Sequence, residues 1–94
     1  MPSILHLNLR REHFEAIANQ TKRVEYRERK AHWKTRLENR TYDAILFRNG
    51  YASNAPEMLV EFREVRRIRK NGKPYYAIQL GRILKIKRWR KTKS

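Results

Sequence analysis

The stretch Gln20-Thr21-Lys22-Arg23-Val24-Glu25-Tyr26-Arg27 marks the point where the hydrophobic period of the chain changes. Upstream, Phe14, Ile17 and Ala18 share one face of a helix spanning Arg10 to Asn19, with Arg10, Arg11, Glu12 and Glu15 mostly elsewhere. From Lys22 the pattern reads as the opening of a strand. The same stretch sets an amine, a carboxylate and a guanidinium within six residues. A purely structural strand has little use for that mixture, whereas a site for a polar or anionic ligand does.

Working outward, Leu5, Leu7 and Leu9 alternate in the manner of a half-buried first strand, and Asn8 is a candidate cap for the helix that follows. Glu28 to Arg40 is a second helical candidate, with Trp33 and Leu37 four apart on its inner face. Tyr42 to Phe47 is a short apolar run of strand length. It leads into Arg48-Asn49-Gly50-Tyr51, where Gly50 supplies a backbone conformation the loop needs. Strands then dominate: Val60, Phe62 and Val65 point inward, with a bulge expected near Glu64. Asn71-Gly72 is the strongest turn signal in the chain and joins Arg66–Lys70 to Tyr75–Leu80 as a hairpin. Gly81 interrupts the alternation, and Ile83 to Trp89 resumes it. The order predicts one α+β domain over residues 1–94. It has five or six strands in a small, largely antiparallel, curled sheet or barrel, two short helices near the front, and a basic tail from about Arg90 to Ser94.

The charge is unusual in amount and in placement. Twenty-four Lys and Arg face nine Asp and Glu in 94 residues, a net +15. Residues 1–64 hold twelve of the basic and all nine acidic residues (+3), whereas residues 65–94 hold twelve basic residues and no acidic one (+12). That asymmetry is the footprint of a polyanion binder, since each cation placed at a phosphate releases condensed counterions. No apolar run reaches the roughly 18 residues of a membrane span, and the opening residues lack a charged-then-apolar pattern. With no cysteine there is no disulfide framework or thiolate site, and a cytoplasmic setting is the simplest expectation. His6, His13 and His32 show no paired metal-ligand spacing, and no Gly-rich phosphate loop or nucleophile elbow occurs, so neither metal nor cofactor is implied.

A helix followed by Lys22-x-x-Glu25-x-Arg27 resembles the ASCH domain family, whose signature Gly-x-Lys-x-x-Glu-x-Arg lies between the first helix and the next strand. Gln20 stands at the glycine position. The opening Ile4–Leu9 strand, the segment from Tyr26 to Trp33 and the Phe47–Tyr51 loop are also similar to compact bacterial and phage-type members, so the resemblance runs from Ser3 to Leu80. It implies a PUA-like β-barrel, a fold related to RNA-binding modules, with a cleft beside the motif. Some relatives cleave RNA, and others are amidohydrolases that deacetylate N4-acetylcytidine. In the amidohydrolases a threonine nucleophile occupies the position of Glu25 here.

Individual residues carry competing readings. Lys22 is a phosphate anchor, a catalytic base if desolvated, or an exposed lysine at a strand start. Glu25 is a general acid or base, or the centre of a structural ion pair with Lys22 or Arg27. Arg27 is a binder, because a guanidinium grips phosphate with two prongs, or a buttress for Glu25. In a regular strand Glu25 and Arg27 share a face while Lys22 points away, so the three converge only if Lys22 still belongs to the turn. Arg48, Asn49 and Tyr51 either reach a base or phosphate or stabilise their loop. Lys85, Lys87, Arg88 and Arg90 surround Trp89 as a basic surface for the phosphate backbone, with Trp89 either stacking on a base or packing the barrel closed.

The function expected is an RNA-binding domain with a nucleotide or modified base in the motif cleft and the basic C-terminal third on the backbone; other single-stranded nucleic acid is a second partner. The alternative is a metal-independent ribonuclease or an N4-acetylcytidine-type amidohydrolase using Lys22 and Glu25. A basic adaptor docking on an acidic protein is the third reading.

Overall fold

A computed structural model describes residues 3–90. The elements run β1 (Ile4–Asn8), α1 (Arg11–Ala18), β2 (Val24–Glu28), α2 (Ala31–Leu37), β3 (Ala44–Arg48), β4 (Glu57–Lys70) and β5 (Lys73–Lys87). The strands form one five-stranded mixed sheet in the order β1-β3-β4-β5-β2. Three pairings are antiparallel, and β1 runs parallel to β3. This parallel pair departs from the mostly antiparallel expectation only at one edge. It arises because α1, β2 and α2 intervene between β1 and β3, the long crossover that parallel neighbours require.

Alternation along the strands delivers the core. Leu5, Leu7 and Leu9, then Ile45 and Phe47, Met58 and Val60, and Tyr76, Ile78 and Leu80 are buried together with Phe14 and Ile17 of α1 and Leu37 of α2. The helix face read from the sequence is therefore the one that packs. Asn71 and Gly72 both have positive φ (52° and 78°), the geometry of a tight turn whose twist matches its strands. Gly50 adopts φ 111°. The expected irregularity near Glu64 is present as register shifts between Leu59 and Glu64.

Several expectations need correction. Asn8 does not cap α1: its side-chain amide donates to the Gly50 carbonyl at 2.9 Å, and Arg10 occupies the cap position without a side-chain hydrogen bond. The second helix is shorter than Glu28–Arg40, because Glu28 is still paired with Tyr75 in the sheet and the chain is extended again at Glu38. Gly81 does interrupt the alternation, but inside β5: the strand continues through it, and the register shifts between the Val60–Ile83 and Phe62–Leu80 pairs. Most importantly, the sheet is not closed: among the described residues β1 and β2 are its two edges and do not pair.

The end of α2 is tied back to the sheet through Glu38. The Tyr76 hydroxyl donates to Glu38 Oε2, and Arg67 reaches Oε1 at 3.0 Å. The hydrogen bond from Tyr76 holds the Glu38 carboxyl below its ordinary value of 4.5. A carboxyl lowered by folding contributes stability above its unfolded value, and that contribution is lost as pH falls through the folded one. In urea titrations at a series of acid pH values, the wild type should therefore lose stability more steeply below pH 4.5 than Glu38→Gln does. Parallel curves would remove Glu38 from the acid response.

Candidate functional site

The site begins with how α1 ends. Asn19 is the C-cap after Ala18, and Gln20 turns into the left-handed region at φ 63°. The Gln20 amide donates to the Ile17 carbonyl at 2.9 Å, and the Thr21 amide to the Ala16 carbonyl at 3.0 Å. These two bonds are the pair that closes a Schellman motif, a helix ending in which glycine is the usual residue at the left-handed position. Gln20 lacks that freedom, so Gln20→Gly should stabilise the fold by about 1 kcal/mol, read as an upward shift of the denaturation midpoint. A neutral or lower midpoint would mean that the glutamine side chain does more than tolerate the turn.

This turn places Lys22 before β2 begins, so strand alternation does not govern its direction. Glu25 and Arg27 project from the same face of β2, and Lys22 swings round to join them. Lys22 Nζ lies 2.9 Å from Glu25 Oε1, while Arg27 approaches Oε2 with Nε at 3.0 Å and a terminal nitrogen at 2.9 Å. Glu25 is the only buried charged residue among those described, at 4% exposure. Burial of a carboxylate demands such compensation. The contact with Lys22 is an ion pair without hydrogen-bond alignment, and Oε1 has no donor of its own.

Arg27 does a second job. Its terminal nitrogen donates to the Asn8 carbonyl at 3.1 Å, linking β2 to β1 across the gap between the two sheet edges. Its guanidinium also lies 4.9 Å from the centre of the Trp33 ring on α2. The cluster thus sits where the sheet fails to close. Lys22 Nζ also lies 3.0 Å from His13 Nδ1 on α1.

Two contiguous grooves open over this gap and share Asn8, Leu9, Arg10 and Arg27. The smaller, about 410 Å³, has Glu25, His13, Tyr26 and Tyr75 around it. The larger, about 650 Å³, runs between β1, α2 and the Asn49–Tyr51 loop, with His32, Trp33 and Arg36 on its far wall. Both have the size of small-molecule sites. Arg10 and Arg36 are exposed and pair with no carboxylate among the described residues, so they leave the rim electropositive. Among the described residues no three His, Asp or Glu side chains come together to hold a metal ion.

The other sequence candidates are dispersed. Asn49 lines the larger groove but uses its side-chain amide on the Leu9 carbonyl at 3.0 Å. Tyr51 stands at the same rim, 88% exposed. Arg48 is committed to its own loop through Glu57 at 3.0 Å and the Ala52 carbonyl at 2.7 Å. Lys85 and Lys87 flank an apolar surface patch with Ile4, Leu46 and Leu59. Arg88 donates to the Ala55 carbonyl at 2.9 Å, Arg90 is exposed beside Arg11 and Glu15, and Trp89 packs edge-on to Phe14. Lys91 to Ser94 lie outside the described residues. The basic C-terminal third is therefore spread over several surfaces.

Sequence reading missed His13, Arg10, Arg36 and the role of Trp33. Arg10 and His13 stand three apart on one helical face, a spacing that could have been matched to the motif. Nothing local marks Arg36 or the contact between Trp33 and Arg27. No helix among the described residues is long and apolar enough to cross a membrane. Comparison of the chain with protein-family models, with curated proteins and with solved structures finds no match.

Proposed function

We propose that this is an RNA-binding domain of ASCH-like character that seats a nucleotide or modified base of single-stranded RNA in the cleft at Lys22, Glu25 and Arg27. The observation that carries the reading is the ion cluster itself. Its buried carboxylate fixes two cations at a gap between sheet edges, beside grooves of nucleotide size. A sheet that curls until its edges are bridged by the Arg27 side chain is compatible with a small barrel-like fold of the PUA kind. The left-handed backbone at Gln20 also suits the glycine of the signature it resembles. Trp33 and exposed Tyr51 offer ring faces to an unstacked base, and Arg10 and Arg36 offer charge to its phosphates. In anisotropy titrations with a fluorescein-labelled single-stranded RNA hexamer, Arg10→Gln/Arg36→Gln should weaken binding about tenfold at low salt. Unchanged binding would remove the cleft from the interaction.

A second reading, RNA cleavage without a metal, is favoured by one contact. His13 and Glu25 line the smaller groove, and His13 Nδ1 and Glu25 Oε1 both lie against Lys22 Nζ, which sets a proton acceptor beside an amine at the edge of that groove. Glu25 itself is buried and doubly paired, a poor disposition for a nucleophile. A time course with end-labelled RNA in chelator separates the readings. Cleavage that disappears in both Lys22→Ala and His13→Ala supports the enzyme, and intact RNA throughout supports the binding module.

A further inference from the structure

Along β4 the β4–β5 hairpin extends beyond β3, while β2 flanks β5 from Gln79 to Tyr75 and leaves only the tip, residues 69–73, clear of both. β3 pairs with β4 only as far as Glu61, and the Phe62 amide still donates to the Asp43 carbonyl at 3.4 Å, so from Arg63 to Lys70 the strand has β5 as its sole paired strand and its other edge is open. This arm carries Arg63, Arg66, Arg67, Arg69, Lys70 and Lys73 against a single carboxylate, Glu64. Glu64 and Glu38 pair with Arg66 and Arg67. Among the described residues the other four pair with no carboxylate. Charge on an open edge protects it against pairing with other strands, but alternating signs would serve that purpose without self-repulsion. A field of one sign along an extended ribbon suits a row of phosphates instead.

The arm also connects to the cleft. Lys70 Nζ sits 3.9 Å from the centre of the Tyr26 ring and 5.7 Å from that of Tyr75, and both tyrosines line the smaller groove. A strand leaving the cleft over these rings would run directly onto the arm. The cleft needs an unpaired base, whereas the arm presents mainly cations, none of which lines the grooves described above. Recognition through backbone and shape is how double-stranded RNA is bound.

We propose that the Arg63–Lys73 arm is a second nucleic-acid contact that grips the phosphate backbone of a double-stranded RNA stem adjoining the single-stranded segment in the cleft. The inference rests on the RNA-binding reading above. Its test compares the wild type with Arg63→Gln/Arg69→Gln/Lys73→Gln, all exposed positions, in anisotropy titrations at low salt. One probe is a labelled RNA stem–loop with a single-stranded overhang, and the other is the single-stranded hexamer. The triple variant should bind the stem–loop about tenfold or more weakly while its affinity for the hexamer stays within about twofold. Equal affinity for the stem–loop would overturn the arm as a contact and leave the cleft reading standing. Equal losses on both RNAs would overturn its separation from the cleft. A wild type that binds neither RNA would overturn the RNA-binding reading and this inference together. A melting curve verifies folding of the variant, and Lys73→Gln alone, expected to weaken only stem–loop binding, replaces it if the triple change unfolds the chain.

Discussion

Replacing Arg27 with alanine is expected to lower the free energy of unfolding by about 3 kcal/mol, an effect in the range of breaking a buried ion pair. The size follows from what the guanidinium holds. It supplies two contacts to the buried Glu25 carboxylate, at 2.9 and 3.0 Å, and it bridges to the Asn8 carbonyl on the opposite edge strand. Its removal strands Glu25 with the unaligned Lys22 contact alone. For the same reason Arg27→Ala/Glu25→Ala should be less damaging than the two single changes added together, since the second removes the charge that the first left unpaired. Denaturant titration of the four proteins in the cycle measures this. Strict additivity would mean that Arg27 stabilises the fold through Asn8 and Trp33 and hardly at all through Glu25.

Gly81→Ala should be destabilising by about 2 kcal/mol, as expected for overpacking at a tight site. Its φ is not the reason. A Cβ at position 81 would come within 2.9 Å of both Glu61 Cβ and Glu61 Oε1, and 3.0 Å of Arg63 Nε. The Glu61 Cβ is fixed to the neighbouring strand and cannot swing away, so the strands must part. Glu61 would also lose the bond it accepts from the Arg82 amide at 2.8 Å, the interaction that chiefly holds its carboxyl below the ordinary range. A midpoint equal to wild type would show that the irregular Leu59–Glu64 stretch yields more easily than its contacts imply.

The features legible in the sequence were those set by local chemistry. The inward faces of β1 and α1 followed from apolar spacing, and the Asn71-Gly72 hairpin followed from two residues that tolerate positive φ. Gly81 was noticed as an interruption, but the sequence could not show that Glu61 crosses over it. The open edges were not legible, because whether β1 and β2 meet depends on how far the whole sheet curls. Asn8 illustrates the limit well. An asparagine before a helix has the chemistry of a cap, yet a loop more than 40 residues away offered Gly50 as its partner. At the site, spacing identified Lys22, Glu25 and Arg27 but left the direction of Lys22 open until the turn after α1 fixed it. His13 and Arg36 reach the grooves only through tertiary placement, and the charged C-terminal third looked like one surface because linear counts carry no direction.

The central claim is that this +15 chain binds RNA largely through its phosphates. The most direct measurement is the affinity of the wild-type protein for single-stranded RNA as a function of salt. The account predicts a linear fall of log affinity with log salt, with a slope of about −0.7 for each phosphate neutralised and several phosphates engaged. An affinity that barely changes between about 50 and 200 mM salt would contradict it.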